Sequence, residues 1–133
     1  MRIAIFQGPA EPGSVARNLR HLEERAAQAA DLGARLLICP EMFLSGYGIG
    51  PAAAARLAEP ADGPSFVAAA ALARKTGLAL LYGYPERGAG GTIYNAVRLI
   101  GGDGRGLANY RKCHLFGDLD RSMFGAGAGP SAL

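Results

Sequence analysis

Short apolar runs alternate with helical repeats in the first part of this chain. Residues 3–7 and 35–39 are strand-like, and turn formers or a proline end each run. Between them, apolar positions from Val15 to Leu32 recur at helical spacing, after a possible cap at Ser14 and before a stop at Gly33. The pattern predicts a strand, an amphipathic helix and a second strand.

The pattern then predicts two helices followed by three strands. Residues 52–58 are suited to a short helix, and a longer one is expected from Pro64 until Gly77 ends it. Glycine-rich turns separate the strands that follow, at residues 78–82, 92–100 and 105–110. Helical connections favour parallel pairing and short turns favour hairpins, so we expect an α/β fold with a mixed sheet covered by helices.

Composition narrows the class of protein. The 133 residues, half of them hydrophobic, fit one globular domain, and the net charge of +3 comes from scattered basic residues that form no nucleic-acid-binding block. The apolar run at the amino terminus is too short for a signal-peptide core, and no run approaches the roughly 20 residues of a membrane span. We therefore expect a cytoplasmic protein that binds neither nucleic acid nor membrane, with reduced cysteines.

Two residues are candidates for catalytic roles. Glu41 follows Pro40 at the carboxyl edge of the second strand, where ligands of such sheets bind, and its apolar flanks predict burial suited to a general base. A surface carboxylate is the alternative. Lys112 follows the last strand and precedes an apolar segment, so its ammonium is suited to stabilising a developing oxyanion. A solvated lysine beside Arg111 is the alternative.

The cysteines and histidines are weaker candidates. Cys39 and Cys113 could act as nucleophiles, but Cys39 is more typical of a core residue, and a regular strand would direct Cys113 away from Lys112. His114 is more typical of a structural residue than of a proton carrier. The histidines show no metal-ligand spacing, and the glycine turns do not match a phosphate loop, so neither a metal nor a cofactor is expected.

Five segments together resemble the nitrilase-like carbon-nitrogen hydrolase family. They occur in the family's order at residues 3–7, 40–47, 83–86, 93–96 and 110–116. The resemblance implies an α-β-β-α sandwich, usually built into a dimer, and so a homo-oligomer, through the outer helices, that hydrolyses a non-peptide amide or a nitrile.

The resemblance also implies roles for site residues. Glu41 corresponds to the general base that takes the thiol proton and passes it to the leaving amine, and Lys112 to the group that stabilises the tetrahedral intermediate. The family's nucleophilic cysteine lies after the segment that begins at Phe124, on a strand that this sequence does not contain. A second family glutamate lies just past the lysine motif, where Asp120 is the candidate substitute.

Residues 1–133 are therefore expected to form the amino-terminal part of a single hydrolase domain, about half of the sandwich. Such a chain would carry the glutamate and lysine of a Glu-Lys-Cys triad and would be inactive alone. Half a sandwich leaves one face of its sheet uncovered. The alternative function is therefore an inactive fragment or interaction module that associates through this face.

Overall fold

The computed structural model describes residues 1–129, which contain five strands and four α-helices. In chain order these are β1 (Ile3–Ile5), α1 (Val15–Asp31), β2 (Leu36–Ile38), α2 (Pro51–Leu57), α3 (Pro64–Thr76), β3 (Ala79–Arg87), β4 (Ile93–Ile100), β5 (Gly106–Arg111) and α4 (Gly117–Met123). A short 3-10 turn, Ala89–Gly91, connects β3 to β4. The domain prediction extended to residue 133, and its last four residues lie outside the described part.

The strands form one sheet in the order β1-β2-β3-β4-β5. The pairs β1–β2 and β2–β3 are parallel, whereas β3–β4 and β4–β5 are antiparallel. The predicted mixed sheet is confirmed, because each helical crossover gives a parallel pair and each glycine turn gives a hairpin.

Strand β3 is longer than the sequence predicted. It continues past Tyr82 to Arg87 and includes Pro85, a residue that normally interrupts a central strand. Strand β2 pairs with β3 only as far as Leu81. Beyond Leu81, the side of β3 that faced β2 has no strand to pair with, so a proline there breaks no hydrogen bond to β2. There Pro85 accepts a hydrogen bond from Glu59 N through its carbonyl oxygen.

Helices α1 and α3 cover one face of the sheet. The predicted helical face of α1 is confirmed for Leu22, Ala26 and Ala29, which are buried, but not for Leu32, which is exposed because the helix ends at Asp31. The core cluster combines these positions with α3 residues and with alternate strand residues that include Leu37, Leu80, Tyr82 and Ile100.

The opposite face of the sheet has no helix on it within residues 1–129. We call it the open face; alternation along the strands assigns to it Ile3, Ile5, Leu36, Ile38, Leu81, Val97, Leu99 and Tyr110. Ile5 is 66% exposed and Ile3 is 45% exposed. The described residues thus form one sheet with helices on one side, which is half of the predicted sandwich.

A second, smaller apolar cluster closes the carboxyl edge of β2. It joins Met42 to residues of α2, β4 and α4, including Ala54, Ile93 and Met123. The sequence did not predict α4, which contributes Met123 to this cluster. No helix within the described residues has both the length and the apolarity to cross a bilayer.

Candidate active site

Glu41 lies in a tight turn directly after β2 and Pro40. Met42 adopts φ 52°, a left-handed conformation that is uncommon for residues other than glycine, and Leu44 N donates to Gly83 O at 3.0 Å. A Cβ atom at Gly83 would overlap the backbone nitrogen of Met42, so a side chain there would push this turn away. The glycine therefore allows the glutamate turn to pack directly against β3.

Glu41 contacts Lys112 and Asn95 on the open face of the sheet. Lys112 Nζ lies 2.8 Å from Glu41 Oε1, and Asn95 Nδ2 donates to the same oxygen at 2.6 Å. The backbone supports this contact, because Lys112 N donates to Asn95 O at 2.8 Å. The prediction of a buried Glu41 is wrong for this chain, since its side chain is 49% exposed where the turn borders the open face.

Asp120 lies on the other side of the lysine. Its Oδ2 is 2.8 Å from Lys112 Nζ and accepts from Phe116 N at 2.8 Å, while its Oδ1 accepts from Tyr47 Oη at 2.6 Å. Asp120 is fully buried, and burial alone would raise its pKa, but the hydrogen bonds from Lys112, Tyr47 and Phe116 hold it below its usual value. Asp120 is therefore a buried anion.

The two carboxylates keep Lys112 charged. Burial alone would lower the pKa of Lys112, but the hydrogen bonds and charges of Asp120 and Glu41 outweigh burial and raise it. An ammonium has three N–H donors, and two of them point to Glu41 Oε1 and Asp120 Oδ2. Within the described residues, the third donor remains available to an oxygen of another molecule.

A pocket of about 320 Å³ lies beside the Glu41–Lys112 pair. Its floor is the open face of the central strands, with Gly83 and Val97, and Tyr110 forms one wall. Burial raises the pKa of Tyr47, whose hydroxyl donates to Asp120, to about 12, so the tyrosine stays protonated at neutral pH. The charged groups therefore border an apolar cavity that is suited to a small organic molecule.

Within the described residues, neither cysteine forms a hydrogen bond to Glu41, Lys112 or Asp120. Cys39 lines the pocket but is only 8% exposed, and burial raises the pKa of its thiol to about 12, which disfavours the thiolate that a nucleophile needs. The Cys113 thiol accepts from Tyr110 Oη at 3.2 Å and donates to the Arg111 carbonyl at 3.5 Å. His114 is exposed. Within residues 1–129, no three His, Cys, Asp or Glu side chains cluster as metal ligands.

A second ionic network lies on the helix-covered face. Glu86 is 2% exposed and accepts two hydrogen bonds from Arg111, at 2.6 and 3.1 Å, and one from Asn109 at 2.7 Å. Burial alone would raise the pKa of Glu86, but these donors hold it below its usual value. Because Arg111 and Lys112 are adjacent in sequence, the two networks anchor successive residues on opposite faces of the sheet.

The sequence reasoning gave no role to Gly83, Asn95 or Tyr47, although each lies in a segment that carried the family resemblance. One signal was available for Asn95. It is a polar residue inside an apolar strand and is only 4% exposed, and a buried amide needs a partner.

Comparison with known proteins identifies the class. The model of the carbon-nitrogen hydrolase family matches residues 2–132. A protein of Pseudomonas protegens described as a hydrolase in the pqqF 5' region is 58% identical over 127 residues, which is 96% of this chain and 44% of that protein. An amidase structure from Nesterenkonia sp. superposes with a TM-score of 0.85 at 31% identity, covering 98% of this chain and 49% of the other.

The chain belongs to the carbon-nitrogen hydrolase family. Its mixed α/β fold is that of the nitrilase-superfamily amidases, and it spans between about a third and a half of the length of the relatives that it matches. The zebrafish omega-amidase NIT2 is 36% identical over 105 residues. Structures of mutants of the Nesterenkonia amidase include one in complex with butyramide and one with acrylamide added at the active-site cysteine.

Proposed function

We propose that this chain is the amino-terminal part of an enzyme that hydrolyses the carbon-nitrogen bond of a small non-peptide amide, or of a nitrile. The contact that carries the proposal is the 2.8 Å approach of Lys112 Nζ to Glu41 Oε1 beside an apolar pocket, in a member of this family. By the complete domain we mean a protein in which this chain is continued by the part of the relatives that it does not cover.

In the proposed reaction with an amide, a cysteine from that further part is the nucleophile. Its thiol proton moves to Glu41 while the sulfur bonds to the carbonyl carbon, and the carbonyl π electrons move to oxygen. The free N–H of Lys112 then donates to this oxyanion. When the intermediate collapses, the carbon-nitrogen bond breaks, the amine leaves with the proton from Glu41, and water hydrolyses the thioester.

Three features support these roles over the alternatives of a surface carboxylate and a solvated lysine. Lys112 is 26% exposed and held between two carboxylates, so it is a fixed cation and not a proton acceptor. Glu41 is fixed through one oxygen and open to the pocket. Asp120 holds the lysine from the far side, and we propose that it substitutes for the second family glutamate.

The test is ammonia release from short primary amides, with butyramide first because a related amidase binds it. In the complete domain, Glu41→Gln should reduce kcat by about 100-fold or more, the usual contribution of a general base. Glu24→Gln on the exposed side of α1 is the matched control and should have no effect. A Glu41→Gln variant with nearly unchanged kcat would refute the role. The 133-residue chain alone should release no ammonia.

The open face supports a second candidate function, which is binding of a complementary chain. Ile5, Ile3 and Tyr110 on this face are 66%, 45% and 39% exposed, and neighbouring exposed apolar side chains are typical of a protein interaction surface. The occupant we propose is a polypeptide that corresponds to the uncovered part of the relatives, because the sheet face and the catalytic pocket are continuous.

Light scattering after size exclusion tests this binding. The chain should form a defined complex with that polypeptide, and Leu81→Lys on the open face should abolish it. Leu32→Lys, at an exposed position after α1, should leave it intact. A stable monomer that does not bind the polypeptide would exclude the second function.

A further inference from the structure

Asn95 connects the two charged groups of the site. Its side-chain amide donates to Glu41 Oε1 at 2.6 Å, and its main-chain carbonyl accepts from Lys112 N at 2.8 Å. Asn95 is 4% exposed in β4, between the strand that packs against the glutamate turn and the strand that carries the lysine motif. One residue thus fixes the glutamate through its side chain and the lysine through its backbone.

The hydrogen bonds to Glu41 are unevenly distributed. Asn95 Nδ2 and Lys112 Nζ both donate to Oε1, and within the described residues no hydrogen bond reaches Oε2. An oxygen that accepts two strong donors holds its negative charge more tightly and is the poorer proton acceptor of the pair. The unengaged oxygen is therefore the better base.

We propose that Asn95 is a positioning residue that reserves Oε2 of Glu41 for proton transfer. This inference rests on the proposed role of Glu41 as the general base. Asn95 orients the carboxylate by binding Oε1, so that Oε2 takes the thiol proton and later gives it to the leaving amine. A neutral amide suits this task, because it donates to the carboxylate without adding a second positive charge that would pair with it.

The contact itself is tested on the 133-residue chain by NMR. The two Asn95 Nδ2 protons should be widely separated, with the bonded proton downfield, and the separation should collapse in Glu41→Ala. Asn109 is a matched reference in the same spectrum, since its amide donates to Glu86 and should be unaffected by Glu41→Ala. The inference would be overturned if the two Asn95 Nδ2 protons had similar chemical shifts and these shifts did not change in Glu41→Ala.

The effect on catalysis is tested in the complete domain with Asn95→Asp, which keeps the shape of the side chain. At neutral pH the aspartate is an acceptor and repels Glu41, so kcat should fall about 10- to 100-fold with KM nearly unchanged. As the pH falls, the aspartate becomes protonated and can again donate a hydrogen bond to Glu41. The activity of Asn95→Asp relative to that of the unmodified enzyme should therefore rise.

A purely structural role would not change the shape of the pH profile. Asn109→Asp is the matched control, because it disturbs a partly buried asparagine–carboxylate contact on the opposite face and should reduce stability while leaving the profile as in the unmodified enzyme. An Asn95→Asp profile parallel to that of the unmodified enzyme, or a loss confined to KM, would overturn the inference alone. An inactive unmodified enzyme would instead refute the proposed function.

Discussion

Replacing Asp120 by Asn should destabilise the chain, because it removes a buried charge that faces Lys112. Asp120 is fully buried, and its Oδ2 is 2.8 Å from an ammonium that is only 26% exposed. Breaking a buried pair costs about 3–5 kcal/mol. The amide oxygen of the asparagine can still accept a hydrogen bond from Tyr47, and Lys112 keeps its ion pair with Glu41. We therefore expect a smaller loss, of about 2–3 kcal/mol in the free energy of unfolding.

Urea denaturation followed by circular dichroism measures this loss. Asp118→Asn, at an exposed position on the same helix, removes the same formal charge and should change stability by no more than about 1 kcal/mol.

The pH dependence provides a second check. The pKa of Asp120 is lowered in the folded chain, so its contribution is fully present above the pKa of about 3.9 of an unfolded aspartate and disappears as the pH falls through the folded value. The difference in the free energy of unfolding between the unmodified chain and Asp120→Asn should therefore be constant at neutral pH and shrink in acid. Equal stabilities at pH 7, or a difference that persists in strong acid, would refute the reasoning.

Two further predictions concern the surroundings of the site. Gly83→Ala should destabilise the chain by about 1–3 kcal/mol and separate Glu41 from Lys112 in a crystal structure. Gly48→Ala is the control, because the space around Gly48 is open, and it should have neither effect. If Glu41 does not move in Gly83→Ala, Gly83 is not what allows the glutamate turn to pack against β3. Glu86→Gln should cost about 2 kcal/mol in urea denaturation at pH 7 and progressively less in acid, because the pKa of Glu86 is lowered on folding. The control is Glu23→Gln, which removes an exposed ion pair and should cost well under 1 kcal/mol; a similar cost for both would show that burial is irrelevant.

The sequence predicted the topology well because each signal was local. Helical repeats with glycine stops marked α1 and α3, and glycine turns marked the two hairpins. The predicted β3 was too short, because Gly83 and Pro85 are residues that usually end a strand. The sequence alone does not show that β2 ends before Pro85 and so leaves room for it. Helix α4 was missed because it has no apolar repeat and depends on the contacts of Asp120 with residues far away in sequence.

The candidate site was predictable only in part, for a similar reason. The local pattern made Glu41 and Lys112 candidates and the family resemblance favoured their roles, but their contact joins positions 71 residues apart. No local pattern reports that Asn95 reaches Glu41 or that Tyr47 reaches Asp120, which are 54 and 73 residues apart. The exposure of Glu41 was mispredicted because apolar neighbours in sequence do not determine which side of the turn faces outward.

The position of Lys112 between two carboxylates has a consequence for how charge is balanced in the proposed reaction. At rest the lysine is shared by two anions, so the group as a whole is negative. In the proposed reaction, Glu41 takes a proton, which neutralises one of these anions, and the lysine loses a partner at the step that creates an oxyanion on the substrate. Charge then moves from the protein to the substrate around a stationary cation, and little of the surrounding structure has to reorganise.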